Sequence, residues 1–150
     1  MTIRCEIVSQ DRSVFEGEVD MVTLPGKDGE MGILPHHAPL LSTIRPGVIK
    51  VKQGGQEQLF TITGGLVEVQ PDIITVLADA AENIEEIDVA RAEEARRRAE
   101  QRLKEGAPKG TEAYLAAEAA LMRSSLRLEV ARRFGRNVRH SKVPTSSSGE

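Results

Sequence analysis

The chain has 150 residues, of which 39% are hydrophobic and 29% are charged, so it can form one medium domain or a small domain with an appendage. No stretch approaches the roughly 20 apolar residues of a membrane-spanning helix. The N-terminus, MTIRCEIVSQD, has neither the apolar core of a signal peptide nor the Arg- and Ser-rich composition of a transit peptide, so we expect the chain to work where it is made.

The net charge of −3 is unevenly distributed along the chain. Residues 1–90 carry 6 Lys/Arg against 15 Asp/Glu, a net charge of −9. Residues 91–149 carry 14 Lys/Arg against 7 Asp/Glu, a net charge of +7, and Glu150 supplies the last negative charge. The two parts therefore have opposite electrostatic character and are expected to serve different roles.

From Ile3 to about Asp79, apolar and polar residues alternate with a period of two, and turn signals (PGKDG, RPG, QGG, TGG, QPD) separate the runs. Turn signals spaced by roughly eight to twelve residues, without a helical interlude, predict an antiparallel β-sandwich or barrel over residues 1–84 and argue against a parallel α/β sheet. Cys5 has no second cysteine to pair with, and its place in the first alternating run predicts a buried strand residue.

Residues 29–41, GEMGILPHHAPLL, interrupt this alternation with two prolines and two histidines. His36 and His37 are adjacent, so in an extended segment their side chains point to opposite sides. The third histidine, His140, lies far along the chain in the predicted tail. This arrangement argues against a histidine metal site.

The turn PGKDGEMG, residues 25–32, lacks the features of a catalytic or phosphate-binding loop. Asp28 and Glu30 have no positioned nucleophile or base beside them, which argues against a carboxylate pair for hydrolysis. Lys27 is followed by an acid on a strand turn, whereas the GxxxxGK[ST] loop requires a hydroxyl residue and then a helix. We therefore predict neither a metal nor a catalytic residue.

After Ile84, Ala, Glu, Arg and Leu replace the β-branched residues, and apolar positions recur every three to four residues. Asp88 is placed to cap a first helix, IDVARAEEARRRAEQRLKE, which GAPKG breaks. Thr111 is placed to cap a second helix, TEAYLAAEAALMRSSLRLEVARRF, which ends at Gly135. The short break predicts an antiparallel helical hairpin over residues 85–135.

The predicted fold class is therefore α+β, with an N-terminal antiparallel β-sandwich followed by a C-terminal antiparallel two-helix hairpin. The contact stripe of the hairpin is mostly alanine, which buries little apolar surface, so we expect the hairpin to be weakly held and able to move. Residues 136–150, RNVRHSKVPTSSSGE, have no apolar period and are predicted to be disordered.

Several separated motifs occur in order: GEMGILPHHAPLL, IRPGVIKV, GGLVEVQPDIITVLAD and IDVARAEEARRRAEQRL. Over about residues 1–134 they closely resemble the epsilon subunit of the rotary, proton-driven ATP synthases of bacteria and chloroplasts. The resemblance implies a non-catalytic subunit of an enzyme complex, with its sandwich at the foot of the central stalk between the gamma subunit and the membrane rotor ring. It implies helices that lie folded on the sandwich or extend into the catalytic alpha/beta head and restrain ATP hydrolysis.

The resemblance further implies a peripheral position at the cytoplasmic face of a bacterial cell membrane, with the chloroplast thylakoid as the alternative. Glu30 would face the rotor ring and His37 would lie towards the gamma subunit, so residues 29–41 would form a coupling surface. The alternative that both histidines lie on a solvent loop stays open. His36 departs from the family, in which Gly or Asn is common here. Four arginines of the second helix would meet acidic loops of the catalytic subunits: Arg123, Arg127, Arg132 and Arg133.

Family members that bind ATP in this subunit carry Ile or Leu, Asp, two variable residues, Arg and Ala, a pattern that stands here at residues 87–92 as IDVARA. On a helix, Asp88, Arg91 and Arg98 share one face, while Arg123 and Arg127 form an i,i+4 pair on the second helix. Arginines from two antiparallel helices can clamp a polyphosphate by charge-assisted hydrogen bonds.

The resemblance therefore implies no required cofactor but ATP as a regulatory ligand, held by six residues: Ile87, Asp88, Arg91, Arg98, Arg123 and Arg127. Because of its charge, Asp88 is expected to cap the helix and to orient Arg91 or a polar base edge rather than to touch phosphate. The alternative is a solvated basic face on which Asp88 serves only as a cap.

A nucleic-acid-binding module and a nucleotide-binding module are the two alternative classes of protein. A nucleic-acid-binding module would explain the basic segment, but only Tyr114 and Phe134 are aromatic there, and interleaved Glu residues leave no stacking platform. A nucleotide-binding regulatory module or small hydrolase would explain Asp88 and the arginines, but a hydrolase would lack a carboxylate cluster to hold a metal. We expect no nucleic-acid partner.

Overall fold

The computed structural model describes residues 1–134, so Gly135, His140 and the tail predicted at residues 136–150 lie outside the described residues. Ten strands come first in the described part. They are β1 (Ile3–Ser9), β2 (Ser13–Val19), β3 (Met21–Gly26), β4 (Gly29–Ile33), β5 (Leu40–Ile44), β6 (Gly47–Gln53), β7 (Gln56–Ile62), β8 (Gly65–Val69), β9 (Ile73–Ala78) and β10 (Ala81–Asn83). A 3-10 turn (Ile84–Glu86) then leads into two helices, α1 (Val89–Lys104) and α2 (Glu112–Phe134).

The strands form one hydrogen-bonded path in the order β10-β7-β6-β3-β5-β8-β9-β1-β2, and β4 pairs with β3. A single residue pair, Gly26 with Ile44, joins β3 to β5, so the path bends there and the sheet folds into two layers. The described pairings are antiparallel except that between β1 and β9. Turn spacing did not predict this parallel pair, because strands so far apart in sequence are not constrained by a hairpin.

The core lies between the two layers and is built from the inward positions of the alternating strands. Ile3, Cys5 and Ile7 of β1 are essentially inaccessible to solvent and pack with residues of both layers. Phe15 of β2 packs against this core and meets Phe60 of β7 edge to face, with ring centroids 5.7 Å apart. The period-two pattern was therefore a correct guide to the buried face.

The helical hairpin has the caps that the sequence predicted. Asp88 Oδ1 accepts a hydrogen bond of 3.1 Å from the backbone N–H of Arg91 at the start of α1. Thr111 Oγ1 accepts one of 3.3 Å from the N–H of Tyr114 at the start of α2. Gly106 and Gly110, between the helices, have positive φ angles of 103° and 83°, which only glycine adopts easily. The α+β class with a sandwich followed by a hairpin is confirmed.

Cys5 provides a test of the core. Burial, and secondarily the nearby charge of Glu6, raises the pKa of its thiol from 9.0 to about 12. Because the folded state favours the neutral thiol, this group's contribution to stability is complete below about pH 9 and is lost as the pH rises towards 12. We expect a thiol reagent at pH 8 to leave Cys5 unmodified in the native chain and to label it fully in denaturant, as measured by mass spectrometry. Rapid labelling without denaturant would contradict this packing.

Candidate functional site

The end of α2 packs on the sandwich, against β6 and β7, through a second apolar cluster, here called the docking patch. Its five buried residues come from β7, from the 3-10 turn and the residue after it, and from α2: Leu59, Ile84, Ile87, Val130 and Ala131. Val48, Leu126 and Phe134 flank them. Burying a large aliphatic side chain contributes about 1.5–3 kcal/mol, so the docking patch contributes substantially to the free energy that holds the hairpin on the sandwich.

Charged groups surround the docking patch. The guanidinium Nε of Arg127 on α2 forms an ion pair with Glu82 of β10, whose side chain is only 18% exposed. Lys50 Nζ of β6 lies 5.8 Å from the ring centroid of Phe134, and Arg133 Cζ lies 5.6 Å from the same centroid. These cation–π distances fall within the range in which such contacts are attractive. The apolar docking patch and these charged contacts together join the C-terminal half of α2 to the sandwich.

The two helices meet along a seam of small residues. Ala92 and Ala99 of α1 are buried opposite Ala117 and Ser124 of α2. The Ser124 hydroxyl donates within its own helix, with Oγ 2.8 Å from the Ala120 carbonyl oxygen, so it adds no bond across the seam. The predicted alanine stripe is therefore the contact between the two helices, and the expectation of weak docking did not take the larger side chains at the end of α2 into account. Alanine forms the interhelical seam, and larger side chains form the docking patch.

A cavity of about 570 Å³, here called the arginine groove, is lined by residues of α1, by Arg127 of α2 and by Glu82 and Glu86 of the segment before α1. Four of the six residues predicted to bind nucleotide line it: Asp88, Arg91, Arg98 and Arg127. Its volume falls in the range of pockets that hold drug-sized ligands. The geometry thus brings together the first-helix motif and one arginine of the second helix.

The remaining two predicted residues lie elsewhere. Ile87 is 6% exposed and belongs to the docking patch, where it lies just before the helix cap Asp88 and packs with residues of α2. Arg123 lines a smaller cavity beside β7 rather than the arginine groove. Sequence spacing placed Arg123 and Arg127 on one helix face, and both line this smaller cavity, but only Arg127 also lines the arginine groove.

Carboxylates also line the arginine groove and engage most of its cations. Arg98 Nη1 lies 3.3 Å from Glu94 Oε1, and Arg127 is paired with Glu82 as described above. Arg12, from the β1–β2 turn, holds Glu86 at 2.9 Å, and this hydrogen bond raises the pKa of Arg12. Within residues 1–134, Arg91 forms no ion pair. Arg91 is therefore the groove cation that is most available to an anionic ligand.

The stretch at residues 29–41 is only partly a loop. Glu30 lies in β4, opposite Pro25 of β3, and its side chain is exposed. His37 is partly buried, and its Nδ1 lies 2.7 Å from the Ala38 carbonyl oxygen. His36 has a φ angle of 63°, so the segment is not extended there, and its left-handed backbone is one that Gly and Asn adopt more easily than His.

The outward face of strands β5, β8, β9 and β1 carries a row of mostly apolar residues, here called the apolar row, that the sequence did not predict. Thr43, Leu66, Leu77 and Val8 are successive neighbours across β5, β8, β9 and β1. Leu66 is 44% exposed and Leu77 is 55% exposed. Nearby Leu41 is also exposed. The available signal was leucine at outward positions of two alternating strands, where polar residues are usual in a sheet with one solvated face.

No group of three or more His, Cys, Asp or Glu side chains within residues 1–134 is arranged to hold a metal ion. In the same part of the chain, neither helix combines the length and the hydropathy needed to cross a membrane.

Comparison with known proteins gives matches over nearly the whole described chain. The family model of the ATP synthase delta/epsilon chain beta-sandwich domain matches residues 2–84, and that of the ATP synthase delta/epsilon chain long alpha-helix domain matches residues 85–132. An ATP synthase epsilon chain from Dehalococcoides mccartyi is 50% identical over 131 residues, which cover 86% of this chain and 91% of that relative. An ATP synthase epsilon chain from Herpetosiphon aurantiacus is 45% identical and covers 88% of this chain and 96% of its own.

A solved structure adds the assembly context of one similar chain. It is the cryo-EM structure of Euglena gracilis mitochondrial ATP synthase, described as OSCP/F1/c-ring in rotational state 1. The similar chain in it has a TM-score of 0.67 and 26% sequence identity, and the match covers 87% of this chain and 81% of that one.

The docking patch generates a prediction about arm position. Val130→Ser removes an aliphatic side chain that is 3% exposed, at a cost of about 2 kcal/mol to the docked state, so the ratio of docked to undocked hairpin should fall about thirtyfold. Amide hydrogen exchange should then accelerate in α1, α2 and at Ile87, while β1, β8 and β9 keep their protection. Met122→Ser, at a 44% exposed position of the same helix, is the matched control and should change neither.

Proposed function

We propose that this chain, which belongs to the ATP synthase delta/epsilon chain family, is the epsilon subunit in the central stalk of a proton-driven ATP synthase. In this role it links the gamma subunit to the membrane rotor ring and performs no chemistry of its own. It is a peripheral subunit on the cytoplasmic face of the membrane, held there through the complex.

The observation that carries the stalk role is the apolar row on the outer face of the sandwich. An exposed row of leucines across adjacent strands is typical of a surface that a partner covers. The gamma subunit is the partner that we assign to it, since Leu41 of β5 and His37, on the segment that leads into β5, lie at one side of the row. Glu30 on the β3–β4 hairpin is left free for the rotor ring.

The hairpin acts as a brake on ATP hydrolysis. In the docked position Arg127 is occupied by Glu82, and Arg133 lies on the ring of Phe134. Undocking frees these cations to meet acidic loops of the alpha/beta head alongside Arg123 and Arg132, which form no ion pair within residues 1–134. Such an attraction between exposed charges weakens with ionic strength.

ATP is the ligand that holds the brake folded away. The arginine groove takes residues from α1, from α2 and from the segment at residues 82–86, so the complete groove exists only when the hairpin is closed and docked. A ligand shifts a conformational equilibrium only by its differential affinity for the two states, and about 1.4 kcal/mol of difference shifts the ratio tenfold. High ATP therefore favours docking and low ATP favours release.

The stalk role is tested by assembly. Leu66→Asp with Leu77→Asp places two charges in the apolar row, which should weaken binding to gamma at least a hundredfold, because each buried charge would lack a partner. The measurement is co-purification with gamma and the catalytic head, and binding to isolated gamma by calorimetry.

Leu115→Asp changes a comparably exposed leucine, 57% accessible, at the far end of the hairpin and should assemble normally. If the double variant keeps its circular dichroism spectrum and still binds gamma like the unmodified chain, the apolar row is not the stalk contact.

ATP sensing is tested on the full chain. Titration with ATP should slow amide exchange in α1 and α2, and Arg91→Ala should weaken ATP binding about tenfold or more, since it removes a charge-assisted hydrogen bond from the groove. Arg97→Ala, which does not line the arginine groove, is the control. In the assembled complex, Arg91→Ala should inhibit hydrolysis at ATP concentrations that relieve the unmodified enzyme. An identical ATP response in the Arg91→Ala and Arg97→Ala variants would remove the sensing role and leave the stalk role.

A further inference from the structure

A cavity of about 300 Å³, here called the proline groove, lies between the sandwich and the last turns of α2. Its sandwich wall includes residues of the β3–β4 hairpin, of the turn before β6 and of β6: Pro25, Glu30, Pro46 and Lys50. Its other wall includes three residues of α2: Glu129, Arg133 and Phe134. Because the two walls belong to different parts of the chain, the groove is complete only when the hairpin is docked.

The sandwich wall of the proline groove is apolar and closely packed. Pro25 lies directly against the backbone of Gly47, since a Cβ atom at residue 47 would come within 3.1 Å of the Pro25 Cβ. Neither Pro25 nor Pro46 has a backbone N–H group, so this wall offers apolar surface instead of hydrogen-bond donors. This side of the groove therefore suits an apolar side chain of a partner.

The charged groups of the groove differ in how far they are already engaged. Lys50 and Arg133 both lie within 6 Å of the Phe134 ring centroid, at 5.8 Å and 5.6 Å. Glu30 and Glu129 are exposed, and neither forms an ion pair with another residue of the described part, 1–134. The unmet charge of the groove is thus negative, which complements a cationic partner.

The volume of the groove limits the shape of that partner. A single turn of helix, about 10 Å across and 5.4 Å long, would exceed 300 Å³, whereas one or two side chains of a loop would fit. Glu30 is the residue left for the rotor ring in the stalk role. The groove therefore extends the surface at Glu30 across to Glu129 on α2.

We propose that the proline groove receives a cationic loop of the rotor ring, so that the ring contacts the sandwich and the docked α2 at the same time. This inference rests on the stalk role proposed above and adds a regulatory consequence to it. A partner that binds a groove present only in the docked state shifts the hairpin towards docking by its differential affinity. The complete complex thus holds the brake folded away, and loss of the ring releases it onto a detached catalytic head.

Distance measurement between two spin labels tests this coupling in intact assemblies. The labels are placed on Glu57→Cys of β7 and Met122→Cys of α2, both exposed positions, while the buried Cys5 stays unlabelled. The isolated chain gives the reference distance of the docked hairpin. Without nucleotide, the ratio of docked to released hairpin should be about fivefold higher in the complete complex than in the gamma and alpha/beta assembly without the ring, as expected for one exposed ion pair.

A charge reversal on α2 identifies the contact. Glu129→Lys should remove the fivefold difference between the two assemblies, because it replaces attraction to the cationic loop by repulsion. Both assemblies contain the catalytic head, so their comparison isolates the effect of the ring. Glu118→Lys changes an exposed carboxylate of the same helix that does not line the groove, and it should keep the difference.

Failure of the coupling is distinguishable from failure of the stalk role. An equal docked fraction with and without the ring, in a chain that still joins gamma and the ring, overturns the coupling alone. A fivefold difference that Glu129→Lys leaves intact overturns the proline groove as the ring contact. A chain that does not join the ring at all overturns both the coupling and the stalk role.

Discussion

The contact of Val130 and Ala131 with Leu59, Ile84 and Ile87 decides where the whole hairpin lies. It is formed by side chains of medium and large size at the last turns of α2, whereas the seam between the helices is formed by alanine and serine. The hairpin is thus attached to the sandwich mainly through the last turns of α2. Everything that depends on the docked position, including the arginine groove and the ion pair of Arg127 with Glu82, depends on this patch.

The same cations have different neighbours in the docked and released positions. Docking places Arg127 against Glu82 and Arg133 against Phe134, where their charge is partly used within the chain. The sandwich half of the chain is acidic and the hairpin half is basic, so the internal contact is electrostatically favourable. An acidic partner surface would compete with the sandwich for these groups. The charge asymmetry along the sequence therefore has a structural counterpart at the junction.

Sequence patterns predicted the parts of this molecule that depend on local chemistry. Alternation identified the strands and the burial of Cys5, and the caps at Asp88 and Thr111 are local hydrogen bonds that residue type largely determines. Features that depend on distant segments were not predictable. The sequence could not indicate that β1 pairs parallel with β9, or that the sandwich places Arg123 and Arg91 in different spaces. The left-handed backbone at His36 was missed because histidine gives no turn signal.

The strength of the docking patch changes how a ligand must act on the hairpin. Five buried apolar residues make the docked position favourable in the isolated chain, so release requires a partner that offers comparable contacts to the freed helix. A ligand in the arginine groove then adds its binding free energy to the docked side alone. Coupling of this kind is reciprocal, because two sites that bias one equilibrium change each other's affinity by the same factor. On the proposed function, ATP weakens the grip of the hairpin on the catalytic head, and engagement of the head must weaken ATP binding to the same extent.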